Sequence, residues 1–233
     1  MKRGFYTIMS AQFFSSLADN ALFVAAVELL RSEGAPEWQR AALVPMFALF
    51  YVVLAPFVGA FADALPKGKV MFVSNAIKVV GCLMMLFGSH PLIAYAVVGL
   101  GAAAYSPAKY GILTELLPAS QLVKANGWIE GLTIASIILG VLFGGQLVGQ
   151  HMSHMLLGID IPFIDTGVDT PAESAIAALI VVYAVAAWFN TRIPHTGVEM
   201  RPMRSDPARS VVSNTLSLLP DFWACNSRLW RDK

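Results

Sequence analysis

The stretch AQFFSSLADNALFVAAVELL, residues 11–30, is mostly apolar and carries Asp19 and Asn20 at its middle. About 20 consecutive apolar residues form a helix long enough to cross the hydrocarbon core of a bilayer. An ionised carboxylate at the centre of that core costs at least ~2.5–3.5 kcal/mol on insertion scales. The stretch therefore predicts a transmembrane helix whose acid needs a partner or a water-filled cavity.

The composition of the chain also indicates a membrane protein. Of its 233 residues, 57% are hydrophobic and 13% are charged, whereas soluble domains carry about 25% charged residues. The net charge of +1 gives no indication of a nucleic-acid partner, and we expect none. The two cysteines, Cys82 and Cys225, do not suggest a disulfide framework.

Further apolar stretches follow the first, and we number the predicted spans 1 to 6 in chain order. They run approximately over residues 5–30, 41–62, 70–88, 91–107, 126–149 and 173–191. Pro107 is expected to end or kink span 4, because proline disrupts a helix interior. The expected fold class is an all-α membrane protein with a bundle of six transmembrane helices within residues 1–191.

The Lys and Arg residues predict the orientation of this bundle, because cytoplasmic loops carry an excess of basic residues. The segments at one end of the spans hold Lys2, Arg3, Lys67, Lys69, Lys109, Lys124, Arg192, Arg201, Arg204 and Arg209. The opposite segments hold Arg31 and Arg40, and the loop 150–172 has acids but no Lys or Arg. Both termini are therefore expected to be cytoplasmic.

Residues 192–233 differ in composition from the spans. The first part is rich in Pro, Arg and Ser and is typical of a cytoplasmic linker, whereas VVSNTLSLLPDFWACNSRLWRDK, residues 211–233, could form a helix at the membrane surface. Six spans and a linker suggest half of a larger architecture, truncated before a second bundle. We therefore expect no transport from this chain alone.

Span 1 carries a polar stripe. Gln12, Ser16 and Asp19 recur at helical spacing, with Asn20 beside them. Asp19 lies ~21 Å along the helix from the predicted start of span 1, too far to reach either interface. It is either a structural carboxylate bonded inside the bundle or part of a pathway, which is the more usual role of ionisable residues at this depth.

Two further charges lie within spans. Lys78 is about 12 Å from the start of span 3, so it either extends back to the interface or lines a cavity beside Asn75. Glu130 is near the start of span 5 and is either an interfacial carboxylate or a cavity residue. Opposite charges in one cavity could neutralise each other or hold a zwitterionic ligand, and the sequence does not indicate which charges meet.

Two segments at the predicted cytoplasmic end have distinctive patterns. GAFADALPKGKV, residues 59–70, places Asp63 before Lys67 and Lys69, where the acid can pair with a base or cap the next helix. After span 4, Lys109 and Tyr110 combine a cation with an aromatic ring, which suits a phosphate headgroup. The positive-inside bias alone would also explain Lys109.

Motifs for other chemistry are not evident. His151 and His154 lack an apparent third ligand, so we expect no metal. There is no Walker A sequence and no G-x-S-x-G, so we expect neither a cofactor nor a catalytic site.

The spans, the loop after span 2 and the linker resemble the N-terminal half of a major facilitator superfamily transporter. Within that superfamily the chain is most similar to the bacterial lysophospholipid transporters. The segments that carry this resemblance are ADNAL (18–22), APFVGAFAD (55–63), KGKVM (67–71), GAAAYSPAKYGIL (101–113) and LVKANGWIE (122–130).

The resemblance implies a function. Such transporters move lysophospholipids, chiefly lysophosphatidylethanolamine, across the bacterial inner membrane, and a cytoplasmic acyltransferase–acyl carrier protein synthetase re-acylates them. It also implies that Asp19, Asn20 and Lys109 handle substrate and that Asp63 contributes to gating. Pro66 departs from the superfamily pattern, which often has a small or basic residue there.

A mechanism follows as a hypothesis. Asp19, Asn20 and Lys78 would line a polar cavity, with Asp19 binding the substrate ammonium and Lys109 its phosphate, while the acyl tail stays against apolar helices and membrane lipids. Tyr110 and Glu130 would add contacts. One alternative is a drug or metabolite exporter of the same superfamily, another is a non-transporting membrane anchor for a lipid acyltransferase, and an integral-membrane enzyme has no supporting motif.

Overall fold

Helices form all the regular secondary structure in the part of the chain that the computed structural model describes, residues 3–158, 168–194, 197 and 218–231. They are α1 (Arg3–Ser32), α2 (Glu37–Val53), α3 (Ala55–Ala64), α4 (Lys67–Leu86), α5 (Pro91–Leu116), α6 (Ala119–Val148), α7 (Gln150–Leu157), α8 (Pro171–Thr191) and α9 (Leu218–Arg231). The expected all-α membrane fold is confirmed.

Five of these helices, α1, α4, α5, α6 and α8, are each long and apolar enough to cross a bilayer. The pair α2 and α3 is bent by 65° and passes the same test together, so it can form a sixth span. Pro56 lies in the first turn of α3, where its missing N–H removes a hydrogen bond that would continue α2. Proline chemistry therefore accounts for the break in span 2.

Pro107 does not end a helix, which corrects the first of the two outcomes expected for span 4. The proline lies inside α5, and the helix continues to Leu116. Membrane helices tolerate proline because neighbouring helices and local adjustments satisfy the freed backbone groups. As a result Lys109 and Tyr110 lie on a helix rather than in a loop, and α6 begins at Ala119, earlier than the expected start of span 5.

Helix α1 packs against α6 and α8, α4 packs against α5 and α8, and α2 and α3 pack against α5. Glycines permit the close crossings. A Cβ on Gly144 would lie 2.7 Å from the carbonyl oxygen of Ala21 on α1, and one on Gly99 would clash with that of Phe47 on α2. Gly145 has open space beside it, so the close contact with α1 involves the face of α6 that carries Gly140 and Gly144.

The start of α1, the α3–α4 junction, the α5–α6 junction and the end of α8 meet at one end of the bundle. A Cβ on Gly4 would lie 2.8 Å from Pro194, and one on Gly111 would lie 3.1 Å from Lys67. We call this the basic end, because its described residues include Lys67, Lys69, Lys124 and Arg192. Lys2 and the linker residues Arg201, Arg204 and Arg209 lie outside the described residues, as do positions 159–167 of the loop 150–172.

Large apolar side chains remain exposed around the bundle, as expected where lipid replaces water. Helix α6 is the least buried of the single-helix spans. Its exposed apolar side chains are Ile134, Ile137, Ile138, Leu139, Val141 and Leu142. At the basic end, α9 contacts α3 and exposes the aromatic rings of Phe222, Trp223 and Trp230.

Candidate functional site

The mid-span acid has two partners. Lys78 on α4 donates to Asp19 Oδ2 at 2.7 Å, and the hydroxyl of Tyr183 on α8 donates to Oδ1 at 2.8 Å. The side chain of Lys78 is 2% exposed and that of Asp19 is 18% exposed. The carboxylate thus joins α1 to two other helices, while part of it remains accessible.

Lys78 does not extend to the interface. Its ammonium also donates to Ser15 Oγ at 2.9 Å, and Ser15 in turn donates to Asn75 Oδ1 at 2.8 Å. The rings of Tyr105 and Tyr183 lie 5.2 and 5.6 Å from the ammonium, within the range of cation–π attraction. This cation is therefore held on several sides.

A polar cavity of about 140 Å³ opens beside this pair. It is lined by Gln12, Ser15, Ser16, Asp19, Tyr51, Lys78, Ala102, Tyr105, Ser106, Lys109 and Thr133. Gln12 Oε1 and the Tyr105 hydroxyl are buried without a hydrogen-bond partner. A single water occupies about 30 Å³ in the liquid, so the cavity can admit several waters or a small polar group. Its lining offers both donors and acceptors to such a guest.

Lys109 differs from the other buried lysines of the described residues. It is 7% exposed, and its ammonium lies 4.4 Å from the centroid of the Tyr110 ring. Within residues 3–158, 168–194, 197 and 218–231, no hydrogen bond or ion pair reaches this ammonium, whereas Lys67 and Lys78 each pair with a carboxylate. A buried ammonium without an acceptor makes the cavity receptive to an anion.

Three predicted binding residues do not line the cavity. The Asn20 amide donates to the Ser16 carbonyl oxygen at 2.8 Å, within its own helix. The Tyr110 hydroxyl donates to Glu130 Oε1 at 2.6 Å, on the exposed side of α5 and α6. Of the six residues predicted from the sequence, the structure brings together Asp19, Lys78 and Lys109.

The predicted gating residues lie at the basic end. Lys67 Nζ donates to Asp63 Oδ1 and to the Ala62 carbonyl oxygen, both at 2.6 Å, and lies 3.9 Å from Glu115. A cation at the carboxyl end of α3 interacts favourably with the helix dipole. Asp63 thus pairs with a base rather than capping α4, where Pro66 occupies the cap position. Lys69 is exposed.

Sequence reasoning did not identify the tyrosines of the site. Tyr183 is fully buried and binds Asp19, and Tyr51 and Tyr105 line the cavity. The sequence feature that could have identified them is a tyrosine within an apolar span, because a buried tyrosine hydroxyl usually has a hydrogen-bond partner. The spacing to that partner, 164 residues for Tyr183, follows no local rule.

His151 and His154 lie on the short helix α7, within the described residues. Within those residues, no group of three or more His, Cys, Asp or Glu side chains lies close enough to hold a metal ion.

Comparison with known proteins gives consistent matches. Residues 8–225 match the Major Facilitator Superfamily. The chain is 44% identical over its whole length to the lysophospholipid transporter LplT of Yersinia enterocolitica and 41% identical to that of Yersinia pestis. In both matches it covers 50% of the relative, so the chain spans about half the length of these curated relatives.

A solved structure has the same fold. A bacterial homologue of the human lysosomal transporter Spinster, in an inward-facing and unoccupied conformation, matches with a TM-score of 0.67 at 19% identity. The match covers 91% of this chain and 47% of the other. At this identity the likeness concerns the fold alone.

Proposed function

The chain belongs to the Major Facilitator Superfamily of multi-pass membrane transporters, and from this premise we propose that it serves to move lysophospholipids across the bacterial inner membrane. Lysophosphatidylethanolamine is the substrate we favour, and the transported lipid would then be re-acylated in the cytoplasm. The relatives named as lysophospholipid transporters support this substrate class. Because members of the superfamily place the substrate between two six-helix halves, we propose that this bundle supplies one side of the site.

The observation that carries the proposal is the half-open polar cavity with one acid and two bases on its walls. Asp19, Lys78 and Lys109 line a space deep in the bundle, and Lys109 lacks an acceptor among the described side chains. A phosphate bound there gains a charge-assisted hydrogen bond. The headgroup of a lysophospholipid provides that phosphate, and its single tail can remain against the apolar helix faces.

We propose that the basic end faces the cytoplasm. Lys67, Lys69, Lys124 and Arg192 lie there, and the positive-inside rule supports this orientation. Helix α9 would then lie at the cytoplasmic membrane surface, with its exposed aromatic rings in the headgroup region.

The contact between Asp63 and Lys67 is a candidate gate in this scheme. It ties the end of α3 to the start of α4, and Glu115 on α5 is close to the same ammonium. Rocking of the bundle against a second one would alternate access to the site, and contacts at this end would favour one of the two states. Asn20, Tyr110 and Glu130 remain predicted substrate contacts for a state other than this one.

The proposal has two alternatives. A drug or metabolite exporter would share the fold, and unrelated drugs would then compete with lysolipid. A membrane anchor that recruits a lipid acyltransferase would not require the buried acid, so an Asp19→Leu variant would keep its activity. We propose a transporter rather than an enzyme, because no nucleophile–base arrangement is evident in the sequence. Its proposed partner is a cytoplasmic acyltransferase–acyl carrier protein synthetase.

The test uses the transporter with both six-helix halves reconstituted in vesicles, because we expect no transport from this chain alone. Fluorescent lysophosphatidylethanolamine is added outside, and the fraction that albumin can no longer extract reports its movement to the inner leaflet. We expect lysophosphatidylethanolamine to move faster than in protein-free vesicles. The two-tailed phosphatidylethanolamine should not be moved by the protein. Equal rates with and without the protein, or competition by unrelated cationic drugs, would contradict the proposal.

A further inference from the structure

We propose that Lys78 substitutes for the substrate's cation in the empty site, so that a zwitterionic headgroup opens the Asp19–Lys78 ion pair. In the bound state the headgroup ammonium replaces Lys78 on Asp19, and the headgroup phosphate binds between Lys78 and Lys109. This inference rests on the proposed function and adds a mechanism by which the same site recognises its ligand.

The two oxygens of the Asp19 carboxylate have different partners. Oδ1 accepts from Tyr183, a neutral hydroxyl that keeps the carboxylate in one orientation. Oδ2 accepts from the ammonium of Lys78 at 2.7 Å. Because Asp19 is more exposed than Lys78 and lines the cavity, a second ammonium can approach the carboxylate from the cavity side. Oδ2 is thus the position where one cation can replace another.

The charges of the site restrict which ligands can open the pair. A cation alone would displace Lys78 and leave it buried without a counter-ion beside Lys109, a second buried lysine that forms no ion pair among the described residues. An anion alone would bind Lys109 and leave the Asp19–Lys78 pair closed. A ligand with both charges supplies each displaced group with a new partner, so no buried charge is left uncompensated.

Opening the pair has a structural consequence. The Asp19–Lys78 contact links α1 to α4, and Ser15 adds a second contact between the same ammonium and α1. When the headgroup ammonium takes the place of Lys78 on Asp19, the direct contact between Asp19 on α1 and Lys78 on α4 is replaced by contacts of both side chains with the ligand. Binding of a zwitterion would therefore loosen α4 from α1, whereas binding of an anion would not.

The test compares two lysolipids that differ in the amine: lysophosphatidylethanolamine and lysophosphatidylglycerol. Their affinities for the protein in nanodiscs are measured by competition against a fluorescent lysolipid. In the Lys78→Met variant Asp19 has no internal cation, so we expect the preference for the ethanolamine lipid to rise by roughly tenfold or more over the wild type. Lys124→Met, at an exposed lysine of the basic end, should leave the preference close to that of the wild type.

A double variant keeps the test decisive if the single variant does not fold. It combines Asp19→Asn with Lys78→Met, so neither the carboxylate nor the ammonium of the ion pair is left without its partner. It should bind both lipids with equal affinity through Lys109. An unchanged preference in Lys78→Met, or a persisting ethanolamine preference in the double variant, would overturn the inference while leaving lysolipid transport standing. If the wild type bound neither lipid, the proposed function would fall as well.

Discussion

The hydroxyl of Tyr183 donates a 2.8 Å hydrogen bond to Asp19, a residue 164 positions earlier in the chain. Lys78 binds the other oxygen of the same carboxylate. One acid therefore holds three helices together in the interior of the bundle.

Asp19→Asn should abolish most movement of lysophosphatidylethanolamine while the protein still inserts into the membrane. The amide preserves the volume and an acceptor for Tyr183 but removes the negative charge, so neither Lys78 nor a substrate ammonium has a counter-ion. Uptake is measured in vesicles, and the amount of protein in the membrane fraction is measured in parallel to check insertion. Glu28→Gln on the same helix, where the acid pairs with exposed Arg31, is the control. Unchanged uptake would remove Asp19 from the mechanism.

Tyr183→Phe should destabilise the protein by about 1.5–3 kcal/mol, the usual worth of a hydrogen bond to a charged group. The ring packing is kept, and only the hydroxyl that binds Asp19 is lost. Thermal unfolding in detergent, followed by intrinsic fluorescence, measures the effect. Tyr6→Phe, at a ring that is 61% exposed, should leave the unfolding temperature unchanged. Equal unfolding temperatures for Tyr183→Phe and the wild type would show that the bond contributes nothing.

Lys109→Met should weaken the binding of both ethanolamine and glycerol lysolipids by about tenfold or more, because both carry the phosphate that this ammonium would bind. The fold should be kept, since no carboxylate within the described segments loses a partner. Competition binding in nanodiscs gives the affinities. Lys124→Met is the control, at an exposed lysine of the basic end that does not line the cavity. Loss of binding for one headgroup alone would argue against a phosphate contact.

Gly144→Ala should destabilise the bundle by about 1–3 kcal/mol, the usual cost of overpacking. Its new Cβ would lie 2.7 Å from the carbonyl oxygen of Ala21, so α1 and α6 must separate. The neighbouring Gly145→Ala is the control, because that position has nothing within 4 Å, and alanine is the better helix former. Thermal unfolding of the two variants should therefore shift in opposite directions; a shift in the same direction would contradict the packing described for α6.

The helices were largely predictable because a bilayer imposes a simple constraint on the chain. Backbone groups in hydrocarbon must be bonded within the chain, so long apolar stretches become helices. The prediction that Pro107 could end span 4 was wrong. Helix α5 passes through Pro107 to Leu116, and membrane helices tolerate proline where neighbouring helices and local adjustments satisfy the freed backbone groups.

The candidate site was predictable in part. Charges inside apolar stretches identified Asp19 and Lys78, because such residues are costly in hydrocarbon. Glu130 and Tyr110 were grouped with them, yet they bond to each other on an exposed side of the bundle. A helical wheel gives the face on which a residue lies but not the helix that covers that face.

From its sequence alone, this protein is a helical membrane protein with a carboxylate at mid-span that must find a partner. Only the tertiary structure decided that the partners are Lys78, 59 residues away, and Tyr183, 164 residues away. Hydropathy and helical periodicity are local properties of the chain. Pairing of buried charges depends on which helices pack together, and that is decided by contacts such as Gly99 on Phe47, which no spacing rule encodes.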